Sequence, residues 1–165
     1  MFKRIILLLL LVSALKGCTR DDICPEGTAT TPKLIIVFNN NLNPNNRKAV
    51  DSLSIETDYE NSVLVLAKTI TDSIAIPLST TSDTTKYRFI RTRGTAENPE
   101  INIDNVMFIY SRQDLYVNRA CGFKSQFNSL EAIIEDENSE NWIQNITTNT
   151  NTIIDEEKAH LTFFH

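Results

Sequence analysis

The sequence predicts an all-β protein, a single antiparallel β-sandwich of immunoglobulin-like or transthyretin-like arrangement. Three observations predict it. Apolar residues recur at every second position in short segments, polar turn-forming stretches separate those segments, and helix signals are few. No repeat period runs through the chain, and a closed barrel is the less favoured all-β solution.

The elements follow in order. Residues 33–38 (KLIIVF) form a short β-branched run. Leu53, Ile55 and Thr57 alternate, residues 63–67 (VLVLA) are apolar, and Ile74, Ile76 and Leu78 alternate again. Pro77 inside that last segment marks an edge strand or a bulge. Tyr87, Phe89 and Arg91 share one parity, as do Val106, Phe108 and Tyr110, and then Leu115 and Val117. The connecting stretches are polar: 39–46 (NNNLNPNN), 79–85 (STTSDTT), 94–100 (GTAENPE) and 111–114 (SRQD), the last read as a hairpin loop. In the closing HLTFFH, Leu161, Phe163 and His165 face one way and His160, Thr162 and Phe164 the other. Eight or nine strands result. Leu130, Ile133 and Ile134 fit a helical face, so one helical turn is expected within 129–137.

The N-terminus has a different character. Residues 1–4 are short and basic, 5–14 are apolar apart from Ser13, and Gly17-Cys18 follows. This is the order of a secretory signal, and the apolar run is too short to span a bilayer. The ending at Gly17-Cys18 resembles the lipobox of bacterial lipoproteins. That resemblance implies cleavage before Cys18 and acylation of Cys18, hence a membrane partner through several acyl chains, enough for stable anchoring. After Cys18 come Arg20, Asp21 and Asp22. A basic residue followed by two acidic ones resembles the surface-export signal of Bacteroidota-type lipoproteins. The implied location is the outer membrane, lipid-anchored and surface-exposed, with the periplasmic face as the alternative. The domain plan is then 1–17 signal peptide, 18–32 lipidated tether and 33–165 β-sandwich.

With Cys18 assigned to lipid, Cys24 and Cys121 remain in an oxidising compartment, and they are expected to pair. There is no C-x-x-C, so neither zinc nor thioredoxin-like chemistry has a ligand set. The phrases at 21–40 (DDICPEGTATTPKLIIVFNN), 72–90 (DSIAIPLSTTSDTTKYRFI) and 115–128 (LYVNRACGFKSQFN) together resemble an uncharacterised family of small Bacteroidota lipoproteins, a domain of unknown function. That resemblance implies a location and a fold, covering nearly the whole mature chain, and no activity.

Composition excludes several functions. Removing 1–17 takes away Lys3, Arg4 and Lys16, which moves the formal charge from −5 to −8. Such a chain does not seek nucleic acid. The four glycines, at 17, 27, 94 and 122, build neither a phosphate loop nor a G-x-S-x-G elbow. His160 and His165 lie five apart on a strand and point to opposite faces, which separates them as metal ligands. No cofactor is called for.

Two weaker patterns remain. Asp136, Asn138 and Glu140 alternate as calcium ligands do, without the loop glycine, so a solvated acidic loop is the better reading. Ser52, Ser73 and Thr84 each follow an aspartate, in D-S-L, D-S-I and D-T-T, and resemble the O-glycosylation acceptor sequence of Bacteroidota, on what are expected to be loops. The expected function is a non-catalytic binding or assembly module, with an outer-membrane protein as partner. The alternative is a carbohydrate-binding module whose glycan stacks on aromatic rings. Trp142, the single tryptophan, is open to either a core role or a sugar-platform role.

Overall fold

The computed structural model describes residues 23–136 and 140–165. Cys18, Arg20, Asp21, Asp22 and Asn138, singled out in the sequence, lie outside these residues. Among the described residues there are nine strands and no helix. They are β1 (Leu34–Asn39), β2 (Val50–Thr57), β3 (Leu64–Thr71), β4 (Ser73–Ile76), β5 (Thr84–Gly94), β6 (Pro99–Asn118), β7 (Gly122–Ile134), β8 (Asn145–Thr148) and β9 (Leu161–Phe164). A four-stranded sheet runs β4-β1-β9-β8, and a five-stranded sheet runs β3-β2-β5-β6-β7.

The chain divides into two compact units. The larger comprises Thr30–Leu115 and Lys124–His165; the smaller holds the described residues up to Ala29 together with Tyr116–Phe123. In the larger unit the two sheets share one core, because alternation aims one side of each strand inward. Leu34, Ile36 and Phe38 of the smaller sheet are fully buried, as are Leu53, Ile55, Phe89 and Phe108 of the larger. Phe89 meets Phe163 across the core with ring centroids 5.4 Å apart.

Three sequence expectations need correction. First, the pairing is not wholly antiparallel: β1 and β9 run parallel, Ile36 opposite Leu161 and Phe38 opposite Phe163. β9 lies between β1 and β8, so both its edges are paired, and Leu161, Thr162 and Phe163 are all buried on it. Second, SRQD is not a hairpin loop. The strand β6 runs straight through it, and its polar side chains find partners along the way: Ser111 Oγ donates to the Asn128 carbonyl at 3.3 Å, and Arg112 Nε donates to Asp83 at 2.7 Å. The chain reverses instead between Asn118 and Gly122, where the φ of +71° at Gly122 suits a residue without Cβ.

Third, Ser129 to Ile134 lie on β7, not in a helical turn. Ser129 has φ +56°, a left-handed conformation that breaks the strand's parity. Phe127 and Leu130 therefore both point inward although they are three apart, which is the spacing that imitates a helix. Ser52 does the same in β2 with φ +49°: Val50 and Leu53 are both buried, and the register against β3 shifts between them. The expected edge role of the Pro77 segment fits, since β4 is an edge strand that ends one residue before Pro77.

Candidate binding face

Each strand of the larger sheet that buries one parity presents the other outward. On β5 and β6 the pairs Lys86–Met107, Arg88–Asn105 and Ile90–Ile103 line that outward face, between the inward pairs Tyr87–Val106 and Phe89–Asp104. Arg88 also lies opposite Glu56 of β2, and its guanidinium meets the Glu56 carboxylate at 2.8 Å. Asn105 donates to the Glu135 carboxylate at 2.8 Å, and Asn102 donates to the Glu140 carbonyl at 2.8 Å.

Two hollows lie along this face and share Asp58 and Asn105. One, of about 300 Å³, is lined also by Lys86, Met107 and Ile133. The other, of about 510 Å³, is lined also by Arg88, Ile101 and Ile103. Ile101 is 60 % exposed and Ile103 is exposed with it in the second hollow, while Ile133 is exposed in the first. Asn105 Oδ1, Asn102 Oδ1 and Arg88 Nε are buried without a hydrogen-bond partner among the described residues. Exposed isoleucines among hydrogen-bonding side chains on one face suit docking of a surface or an extended segment.

The candidates from the sequence fall elsewhere. Both histidines are buried, in different surroundings. His160 Nδ1 accepts the N–H of Ile35 at 3.0 Å, whereas His165 Nε2 lies 3.1 Å from the Lys48 carbonyl and its ring packs against Phe38 and Trp142. Burial lowers the pKa of each below the usual histidine value. Trp142 belongs to the core: it is 2 % exposed, its Nε1 donates to the Phe89 carbonyl at 3.0 Å, and the Arg91 guanidinium sits 5.0 Å over its ring. The sugar-platform reading of Trp142 is thereby withdrawn.

Ser52, Ser73 and Thr84 are on strands, not loops. Ser52 is half-buried within β2, Ser73 is exposed at the start of β4, and Thr84 is half-buried at the start of β5. Asp136 and Glu140 are exposed, and among the described residues no group of three or more His, Cys, Asp or Glu is placed to hold a metal.

Cys24 and Cys121 form a disulfide, their Cα atoms 4.8 Å apart, within the smaller unit. In that same unit Tyr116 and Phe123 are exposed and meet edge to face at 5.4 Å.

Sequence reasoning missed Asp104. It is fully buried on β6, where Oδ1 accepts the N–H of Trp142 at 3.2 Å and Oδ2 that of Ile143 at 2.7 Å. The signal was present: Asp104 shares the parity of Val106, Phe108 and Tyr110, so an inward strand position held a carboxylate.

No curated protein and no solved structure matches the chain. A family model does match, over residues 52–165, which takes in the quoted phrases at 72–90 and 115–128 and leaves the one at 21–40 outside. The chain therefore belongs to a family of unknown function, DUF6452.

Proposed function

We propose that this protein is a lipid-anchored, non-catalytic binding or assembly module of the outer membrane or cell surface, built as an immunoglobulin-like or transthyretin-like sandwich. The anchor rests on the order of residues 1–18 and the export to the surface on Arg20, Asp21 and Asp22. The binding role rests on one observation, the outward face of the five-stranded sheet, on which Ile101, Ile103 and Ile133 are exposed among hydrogen-bonding side chains that include Asn105 and Arg88. An outer-membrane protein that offers an apolar strip flanked by hydrogen-bonding groups is the partner this face suits.

The test is cross-linking in intact cells, then purification in mild detergent, for the natural chain and for Ile101→Ser combined with Ile133→Ser. Loss of a specific membrane-protein partner in the variant supports the role. An unchanged partner set refutes the face, and turnover of a glycoside, peptide or ester that vanishes on replacing His160 or His165 refutes the non-catalytic reading. Cys18→Ala should abolish palmitate incorporation. Replacing Arg20, Asp21 and Asp22 with Ala should protect the protein from external protease.

The second reading, a carbohydrate-binding module, is favoured by the exposed Tyr116–Phe123 pair, the kind of aromatic surface on which a sugar packs. A glycan array in which Phe123→Ala removes a binding signal would support it.

A further inference from the structure

We infer that the tip of the β6–β7 hairpin, through Tyr116 and Phe123, lies in the lipid headgroup region of the membrane that holds the anchor; this rests on the proposed acylation of Cys18. The smaller unit exposes large apolar side chains around its disulfide. Ile23 is 80 % exposed, Tyr116 63 % and Phe123 68 %, although Ile23 precedes one bridged cysteine and Phe123 lies two residues after the other.

Chain length says what covers them. Cys24 is six residues from Cys18, and six fully extended residues reach at most about 20 Å. The disulfide transfers that limit from Cys24 to Cys121, and hence to the hairpin tip. Without the bridge, Cys121 would be 97 residues from Cys24 along the chain. A tyrosine and a phenylalanine five and two residues from a cysteine so tethered to an acylated residue suit the bilayer interface, where aromatic rings bury their bodies while a hydroxyl stays hydrated. Arg119, exposed between them, supplies a cation for headgroup phosphates.

The experiment uses the lipidated protein reconstituted into phosphatidylethanolamine–phosphatidylglycerol vesicles with acyl chains brominated near the headgroup. Phe123→Trp places a reporter at the tip. Leu42→Trp, at a site 87 % exposed in the larger unit, is the control, and the natural protein supplies the background of buried Trp142. The expected result is loss of at least about half of the added emission for Phe123→Trp, as for a ring buried 5–10 Å into the interface. Leu42→Trp supplies the reference loss, which Phe123→Trp should exceed. Protein that floats with the vesicles but shows no quenching at position 123 overturns this inference and leaves the anchor standing. Protein that does not float, with an unmodified Cys18 by mass, overturns the anchor and the inference together. A glycan-array signal lost in Phe123→Ala, together with absent quenching, assigns the pair to sugar instead.

Discussion

His160 and Ile35 bond to each other twice. The imidazole Nδ1 accepts the Ile35 N–H at 3.0 Å, and the backbone N–H of His160 donates to the Ile35 carbonyl at 2.9 Å, just before the parallel β1–β9 ladder begins at Ile36 and Leu161. The side chain thus supplies an acceptor that the backbone ladder lacks at that point. Nδ1 can accept only when unprotonated, so the neutral imidazole is the one that fits.

A pH dependence follows. Burial lowers both His160 and His165 in the folded state, relative to about 6.5 in the unfolded chain. The unfolded state therefore binds protons first as the pH falls. Stability from these groups is full above about pH 6.5 and is lost progressively below it, down to the folded values. Urea midpoints taken at pH 8, 7, 6 and 5 should fall below pH 6.5, and His160→Gln should flatten that fall while lowering the midpoint at pH 8. A midpoint independent of pH from 8 to 5 would contradict the assignment.

Asp104 should be among the most sensitive positions. Its carboxylate takes two backbone N–H groups, from Trp142 and Ile143, and holds that segment in the core. Asp104→Ala leaves two buried donors without that acceptor and is expected to lower stability by about 3 kcal/mol. Asp104→Asn retains one acceptor oxygen and should lose about half as much. Trp142 is the single tryptophan, so its emission reports the local change directly, with a red shift expected for Asp104→Ala.

The strands that bury one face were legible because alternation survives wherever one side is wet and the other dry. Thr85, Tyr87 and Phe89 on β5, and Val106, Phe108 and Tyr110 on β6, hold that pattern without interruption. It fails where the backbone changes parity, as at Ser52 and Ser129, because a left-handed serine has no signature of its own among other serines. It fails again at β8, whose NITT carries one apolar residue, Ile146. The parallel β1–β9 pair joins segments about 125 residues apart, and nothing local in KLIIVF names HLTFFH as its neighbour. The cysteines were legible by count alone. The outward face was not, because exposed isoleucines and paired polar residues there match the ordinary composition of a solvated sheet.

Glycine is required at 94 in a stronger sense than at 122. Both residues have positive φ, +80° and +71°, where a Cβ is strained. At 94 the added carbon would also lie 2.5 Å from the Asn98 carbonyl oxygen across the β5–β6 turn, whereas at 122 it meets nothing within 4 Å. Gly122→Ala is expected to lower stability by about 1 kcal/mol and Gly94→Ala by more than about 2 kcal/mol. Thermal unfolding of the two variants side by side checks the order. Equal losses would mean that the Asn98 carbonyl moves aside freely.

The Cys24–Cys121 bridge should behave as one unit in a mutant cycle. A cross-link spanning 97 residues restricts the unfolded chain, with about 4.7 kcal/mol as the chain-entropy ceiling for a loop near that length. Among the described residues the segment before β1 has few other ties: Thr28 bonds to nearby Pro25, Ser125 N–H donates to Thr31 Oγ1 at 3.0 Å, and Lys33 N–H donates to Glu156 at 2.9 Å. Cys24→Ser should therefore lower stability by about 2–4 kcal/mol, and Cys121→Ser by the same amount. The double variant should match either single one, since the second change removes an already broken bond. Cys18 is replaced by Ser throughout, so that no rearranged disulfide confuses the cycle. Limited proteolysis gives the local readout: cleavage within residues 23–30 should rise sharply in all three variants while Trp142 emission stays at its native wavelength. If the two single variants differ by more than the measurement error, or their losses add in the double, the thiols act separately and the bridge does not hold this segment.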